Sequence, residues 1–182
     1  MIVFSVFLAL FLDGYRSDLK DERELKQSVS NIIEEIKINK GIVEELVTYH
    51  GKVSKEILLA VKTSKALDTF KTEYGWDLSE VARQGVFQKL TSQTAWETSK
   101  LNNTISHLDF AKLKLLTKTY DQQQLTFKPA DQILEILMNP AVDLREGLIS
   151  LGLHFGELRG REGRLLDYYN EVLEEFDSGK QK

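Results

Sequence analysis

The sequence predicts an all-α protein in which an N-terminal membrane helix continues into a long helix, packed with later helices as an elongated bundle. Apolar residues recur at alternating steps of three and four along residues 22–60, which is the period of a helix that packs against other helices. Both prolines, Pro129 and Pro140, occur late, so no proline interrupts a helix before Lys128. No run alternates apolar and polar residues for long enough to predict a sheet.

Composition limits the classes of function. A chain of 182 residues is long enough for one domain with a hydrophobic core. The 24 basic and 28 acidic residues give a net charge of −4, so the positive excess typical of nucleic-acid-binding proteins is missing. The chain has no cysteine, which excludes disulfides and thiolate metal sites. We therefore expect no nucleic-acid partner.

The first twelve residues are apolar except for Ser5, and Asp13 ends the run. As a helix the run would be about 18 Å long, whereas a bilayer span needs about 20 apolar residues. Three interpretations remain open. The run is the outer part of a transmembrane anchor, a short helix that dips into the membrane, or a buried helix of a soluble core.

Membrane association is the interpretation that the residues favour. The run is apolar on every face, whereas a helix of a soluble bundle shows one apolar stripe. Tyr15 and Arg16 follow the run and are residue types found at membrane interfaces. We therefore predict a membrane anchor over residues 1–15. Its lipid-contacting side chains would be Ile2, Phe4, Phe7, Leu8, Phe11 and Leu12.

The long helix that follows carries a seam of apolar residues beside charged faces. The seam residues predicted to pack against other helices include Ile32, Ile36, Val43 and Leu46. Asn39 and His50 occupy seam positions where an apolar residue is expected. Further apolar residues widen the seam, which favours a bundle over a two-stranded rod. Gly41 and Gly51 each lower helix propensity by about 1 kcal/mol, so the sequence allows a kink or break at either.

The remainder of the chain predicts shorter helices. Residues 69–77 break the helical pattern, and residues 78–90 are moderately helical. Four more helices are predicted: 91–101 with Thr91 as N-cap, 108–124, Pro129 to about Asn139, and 144–176. The bundle domain would therefore span residues 16–176, and a polar tail would follow at 177–182.

Three glycines four residues apart, Gly152, Gly156 and Gly160, lie in the last predicted helix. On one side of a helix they would form a smooth ridge that another backbone can approach closely. Because each glycine lowers helix propensity, a packing gain should offset it. The spacing does not match the dinucleotide-binding fingerprint, and no strand precedes it. The sequence therefore predicts a helix-crossing site here.

No constellation of residues predicts catalysis, a cofactor or a metal site. His50, His107 and His154 lack a second ligand at the spacing of zinc or diiron motifs. Adjacent acidic residues such as Glu34 and Glu35 are interpreted as solvated helix faces, because general acid–base chemistry needs carboxylates in a shaped pocket. No nucleophile elbow or phosphate-binding loop occurs. We predict a protein that is not an enzyme and binds no cofactor.

The stretch from Leu8 to Leu25 resembles the junction between anchor and charged helix in a family of bacterial single-pass membrane-anchored helical proteins without an assigned function. A second patch, Ala95 to Lys100 followed by Leu108 and Lys118 to Tyr120, looks like the later helical pair of that family. In the family a basic segment and a complete span precede the junction, and residues 1–12 supply neither. The resemblance implies an anchor in the bacterial inner membrane and a helical domain on its periplasmic side.

The leading hypothesis is a membrane-anchored helical interaction protein, an accessory or structural subunit of a membrane or envelope complex. It would contact lipid through its N-terminus, and protein partners or further copies of itself through its helices. The alternative is a sensor-like bundle that binds a small molecule between helices. That alternative requires a polar cluster facing the interior, and Asn39 and His50 are its candidates.

Overall fold

The computed structural model describes residues 2–63, 67–73, 75–86 and 89–178, with side chains for residues 11–177 of these ranges. The described residues form five α-helices, which confirms the predicted all-α class. The helices are α1 (Ile2–Thr63), α2 (Thr94–Leu101), α3 (Phe110–Thr126), α4 (Lys128–Met138) and α5 (Leu144–Ser178). Two 3-10 turns, Leu67–Phe70 and Thr104–His107, and a hairpin of strands β1 (Lys71–Thr72) and β2 (Gly75–Trp76) lie between them.

Helix α1 is continuous over 62 residues, about 93 Å at the rise of an α-helix. It runs through both Gly41 and Gly51 without interruption, so neither glycine breaks it. At Gly51 the side chain of Arg159 in α5 lies where a Cβ would be, 2.8 Å from its Cδ atom. Close contact with α5 thus offsets the low helix propensity of this glycine.

Helices α1 and α5 pack against each other in opposite directions and form the centre of the molecule. Leu58 of α1 lies opposite Gly152 of α5, whereas His50 lies opposite Glu162. Helices α3 and α4 pack on α5, while α2 and the second 3-10 turn pack on α1. Each shorter helix thereby covers one side of the central pair.

The hydrophobic core is divided into two clusters along the central helix pair. Buried residues of the first cluster include Val53, Ile57, Ile133, Leu151 and Phe155. Buried residues of the second include Ile32, Ile36, Val43, Trp96, Leu116, Leu165 and Val172. Along both α1 and α5, the sequence positions of His50 and Glu162 fall between the two clusters.

The segment predicted to be moderately helical, residues 78–90, forms no α-helix in its described part. A single turn closes where the amide of Ala82 donates to the carbonyl of Leu78, and Gly85 then adopts a φ of +71°. The hydroxyl of Tyr49 in α1 accepts from the amide of Gln84 and donates to the carbonyl of Gly85. These tertiary contacts hold the segment as a loop, so this prediction is wrong.

The later helices begin and end close to the predicted residues, with one informative difference. Asp109 caps α3 by accepting from the amides of Ala111 and Lys112. Helix α2 begins at Thr94 and not after Thr91, because the backbone and hydroxyl of Ser92 bond to Asn39 and Glu35 of α1. Trp76 of the hairpin packs on the α-carbon of Gly147, which attaches the hairpin to α5.

Candidate functional site

The N-terminal part of α1 is not covered by any other described element. Residues 11–20, which we call the stalk, are all exposed. They include Phe11, exposed by 72%, and Tyr15, exposed by 57%. Contacts with the remainder of the molecule begin near Ser28, whose hydroxyl lies 2.8 Å from that of Thr104. The stalk is therefore a helix with uncovered apolar side chains.

The predicted lipid-contacting residues all lie on this part of α1. Phe11 and Leu12 are exposed, by 72% and 49%. Ile2, Phe4, Phe7 and Leu8 belong to the helix backbone, while their side chains fall outside the described part. Among the described residues, no helix has an apolar stretch long enough to cross a membrane.

The seam residues predicted to pack are located in the core. Ile32, Ile36 and Val43 have no exposed surface, and Leu46 is almost completely buried. The first three belong to the second core cluster, where they pack with residues of α2, α3 and α5. This part of the seam therefore packs α1 against three other helices of the bundle.

The three predicted ridge glycines have different surroundings. A Cβ added to Gly152 would lie 2.7 Å from the Cγ atom of Leu58, and one added to Gly156 would lie 3.1 Å from the Ser54 hydroxyl. Gly160 is exposed, and an added Cβ would meet nothing within 4 Å. Each step of four residues rotates by about 40° around a helix, so Gly160 is turned out of the contact. In the described part of the chain, the crossing with α1 therefore involves Gly152 and Gly156 and not Gly160.

A buried polar cluster connects α1 to α2, α3 and α5. We call it the Glu35 cluster, and its members are Glu35, Asn39, Ser92, Tyr120, Gln123 and Tyr169. Glu35 Oε1 accepts from the Tyr120 hydroxyl at 2.7 Å, and its Oε2 accepts from the Ser92 hydroxyl at 2.8 Å and the amide of Ala95 at 2.9 Å. Glu35 therefore caps the N-terminus of α2 from another helix.

The remaining members of the Glu35 cluster hold the segment before α2. The side-chain amide of Asn39 donates to the carbonyl of Ser92 at 2.6 Å, and its oxygen accepts from the Ser92 amide at 2.8 Å. Gln123 donates to the same carbonyl at 3.0 Å and accepts from the Tyr169 hydroxyl at 2.7 Å. Every buried polar side-chain atom of the cluster has a hydrogen-bond partner.

Electrostatics keep both tyrosines of the Glu35 cluster protonated. Burial, reinforced by the hydrogen bond to Glu35 and by its charge, raises the pKa of Tyr120 far above its ordinary value. Burial and the charge of Glu35 raise the pKa of Tyr169 in the same direction. The ring of Tyr120 also stacks on Trp96, with ring centroids 5.1 Å apart. The arrangement suits a hydrogen-bonded clamp that holds the helices together.

A second buried polar contact joins α1 to α5 between the two core clusters. His50 Nδ1 lies 2.7 Å from Glu162 Oε1, and both side chains are almost fully buried. His50 Nε2 lies 3.3 Å from the carbonyl oxygen of Val86. Because a carbonyl oxygen only accepts, His50 Nε2 is the donor in its contact with Val86. Glu162 Oε2 has no hydrogen-bond partner in the described part of the chain.

Sequence reasoning found part of these clusters and missed the rest. It singled out Asn39 and His50, and both are buried and hydrogen-bonded. It treated Glu34 and Glu35 alike as solvated, whereas Glu35 is buried. The spacing of Glu35 in the sequence could have indicated its burial. Glu35 follows Ile32 by three residues and precedes Asn39 by four, which places it on the seam side of α1.

Within the described part of the chain, no three potential ligands come together to hold a metal ion. The chain matches no family model, no curated protein and no solved structure. Its geometry therefore supplies the arguments about function that follow.

Proposed function

We propose that this chain is a non-catalytic helical interaction protein which its N-terminal helix holds at a membrane. The observation that carries the proposal is the uncovered stalk, where Phe11, Leu12, Tyr15 and Leu19 are all exposed. Contiguous exposed apolar residues mark a surface that binds lipid or another protein. The apolar residues 2–12 continue directly into this surface along the same helix.

The chemistry of the stalk supports lipid as its partner. Phe11 and Tyr15 are four residues apart and share a side of the helix. Aromatic residues of this kind are enriched at the interface between lipid headgroups and water. Arg16 and Lys20 follow, and at these spacings the guanidinium group of Arg16 and the ammonium group of Lys20 can meet lipid phosphates.

The bundle supports an interaction role more than a chemical one. Its interior polar atoms are used by the Glu35 cluster and by the His50–Glu162 pair, which hold helices together. We propose that the bundle is the partner-binding part of an accessory or structural subunit in a membrane or envelope complex. The resemblance at Leu8 to Leu25 suggests the periplasmic side of the bacterial inner membrane.

Flotation of the purified chain with liposomes tests the anchor. The double variant Phe11→Glu/Leu12→Glu should move the protein from the floating fraction to the bottom of the gradient, because two charges would enter the apolar surface. Phe110→Glu is the matched control, since Phe110 is also a helical phenylalanine and is 76% exposed. Equal flotation of the parent and the double variant would refute the proposed anchor.

A sensor-like bundle with a ligand in the polar interior is less well supported. The sequence pointed to Asn39 and His50 as candidate ligand contacts. In the structure the polar groups around both residues are already bonded to protein groups, apart from Glu162 Oε2. A ligand there would have to displace these hydrogen bonds, and each lost bond costs binding energy.

A further inference from the structure

A groove of about 520 Å³ lies at the end of the bundle next to the stalk. It is formed by α1, by the start of α3 with the segment that leads into it, and by the C-terminal end of α5. Its floor is apolar and is made by Leu25, Val29, Ile33, Leu108 and Phe176. The volume falls within the range of small-molecule sites, which are mostly apolar with a few placed polar groups.

Charged groups are arranged around this apolar floor. Three lysines line the groove, Lys26, Lys37 and Lys112, together with the carboxylates of Glu34 and Asp177. Lys26 is occupied, because its ammonium lies 2.7 Å from Glu22. Lys112 lies over the ring of Phe176, 5.2 Å from its centroid. Lys37 of α1 and Lys112 of α3 thus both line the groove, and among the described residues neither forms an ion pair with a carboxylate.

We propose that this groove binds a free single-chain amphiphile with an anionic head, of the fatty-acid type. The acyl chain lies along the floor between Leu25 and Ile33, a distance of about 12 Å along the helix. The anionic head is attracted by the ammonium groups of Lys37 and Lys112, which line the same groove. Such a ligand satisfies both features of the groove, whereas a neutral apolar molecule would leave the cations unused. The proposal is independent of the membrane anchor.

Other occupants fit the groove less well. The tail after α5 has the sequence Gly-Lys-Gln-Lys, which offers no apolar side chain for the floor and adds positive charge to the lysines. A lipid within a bilayer that holds residues 1–12 is remote, since Leu12 and Leu25 are about 20 Å apart along the helix. The stalk of a second copy is apolar, and its binding in the groove is an outcome that the experiment distinguishes.

Isothermal titration of the full chain with sodium dodecanoate, below its micelle concentration, tests the proposal. Every form carries Phe11→Glu/Leu12→Glu, so that the stalk contributes no apolar binding surface. We expect one saturable site whose affinity rises about fourfold for each methylene added from octanoate to dodecanoate, the factor that corresponds to about 0.8 kcal/mol per buried methylene. Dodecyltrimethylammonium should bind at least about tenfold more weakly than dodecanoate, because its head has the opposite charge.

Two groove variants and a matched control identify the site. Lys37→Glu/Lys112→Glu should weaken dodecanoate binding at least about tenfold and reverse the preference between the two head groups. Lys55→Glu/Lys118→Glu changes the same charge on the same two helices outside the groove, and should leave binding unchanged. Val29→Trp should fill the floor and remove binding of both amphiphiles.

Three results would overturn the proposal. They are the absence of saturable binding, equal weakening by the groove and control lysine pairs, and equal affinity for the two head groups. Light scattering could give a fourth contradicting result. If the parent chain is a dimer and Val29→Trp converts it to a monomer, a second copy fills the groove. Should Val29→Trp fail to fold by circular dichroism, the lysine variants decide alone.

Discussion

At the scale of single residues, His50 and Glu162 form a buried polar contact within the central helix pair. Both side chains are buried, and among the described residues His50 is the one hydrogen-bond partner of the Glu162 carboxyl group. A buried carboxyl group that loses its partner is costly, since the low-dielectric interior cannot replace water. Removing one member should therefore cost more stability than the pair itself contributes.

We predict that His50→Ala lowers the free energy of unfolding by about 3–5 kcal/mol, because Glu162 would remain buried with neither oxygen bonded. Urea denaturation followed by circular dichroism measures the loss. The double variant His50→Ala/Glu162→Ala should be less destabilised than the sum of the single variants. His107→Ala changes an exposed histidine and should have no effect. Strict additivity of the two single variants would contradict the predicted coupling.

The buried tyrosines predict a loss of stability at alkaline pH. The pKa values of Tyr120 and Tyr169 are raised in the folded chain, whereas in the unfolded chain they are about 10. The folded state therefore keeps protons that the unfolded state loses. Stability should be complete below pH about 10 and fall above it, by at most about 1.4 kcal/mol per pH unit for each tyrosine. Urea midpoints measured from pH 8 to 11 would show the slope.

Tyr169→Phe is the control for this pH dependence. It removes one titrating group and keeps the ring, so the fall in stability above pH 10 should become shallower. The same substitution leaves Gln123 Oε1 with one hydrogen bond fewer, which lowers stability equally at all pH values. Parallel pH profiles for the parent and Tyr169→Phe would contradict the assignment.

The burial of a residue could be predicted from the sequence where it follows the helical period. It could not be predicted where it depends on partners that are distant along the chain. The steps of three and four pointed to Ile32, Ile36 and Val43, and all three are fully buried. Glu35 lies on the same side of α1 as these three residues. A charged side chain is normally solvated, so the sequence predicted that Glu35 is exposed. Its partners Ser92 and Tyr120 are 57 and 85 residues away along the chain, so only the fold brings them together.

At the scale of elements, the crossing of α1 and α5 uses two of the three ridge glycines. Gly152 faces Leu58 and Gly156 faces Ser54, whereas Gly160 faces open space. The spacing in the sequence was the same for all three. Each step of four residues rotates the position around the helix by about 40°, so the three glycines face different directions. Which of them faces the partner helix can be predicted only when the direction of that helix is known.

Alanine substitutions at the three glycines should change the stability of the folded chain by different amounts. Gly152→Ala should destabilise the chain by about 1–3 kcal/mol, because its Cβ would overlap Leu58. Gly160→Ala should stabilise it by about 0.5–1 kcal/mol through helix propensity alone, and serves as the control. Gly156→Ala should fall between them, since only the Ser54 hydroxyl must move. Thermal unfolding gives the order, and a stabilising Gly152→Ala would contradict the predicted close contact.

Predictions of whole elements succeeded where a helix is long and amphipathic. Helices α3, α4 and α5 lie close to their predicted ranges because capping residues and prolines mark their ends. The segment 78–90 has moderate helical propensity, but Leu78, Val81 and Val86 pack on the first core cluster from a loop. Tertiary contacts there outweigh local propensity, which is a weak preference in a short segment.

At the scale of the whole molecule, the chain consists of a bundle with buried apolar side chains and a stalk with apolar side chains exposed to water. The bundle buries two apolar clusters and satisfies nearly all the buried polar side-chain atoms of its described part. The stalk leaves its apolar side chains exposed along a helix that no other described element covers. A helix of this kind gains stability from a partner, because an isolated helix is only marginally stable in water.

Deleting residues 1–20 should therefore separate folding from membrane binding. The truncated chain would begin at Asp21, seven residues before Ser28 and its contact with the second 3-10 turn, and an acidic residue suits a helix N-terminus. We expect its melting temperature to stay within about 4 °C of the parent, since no core residue is lost. Liposome flotation should be abolished. A large drop in melting temperature would mean that the stalk packs on the bundle, and persistent flotation would place the lipid-binding surface elsewhere.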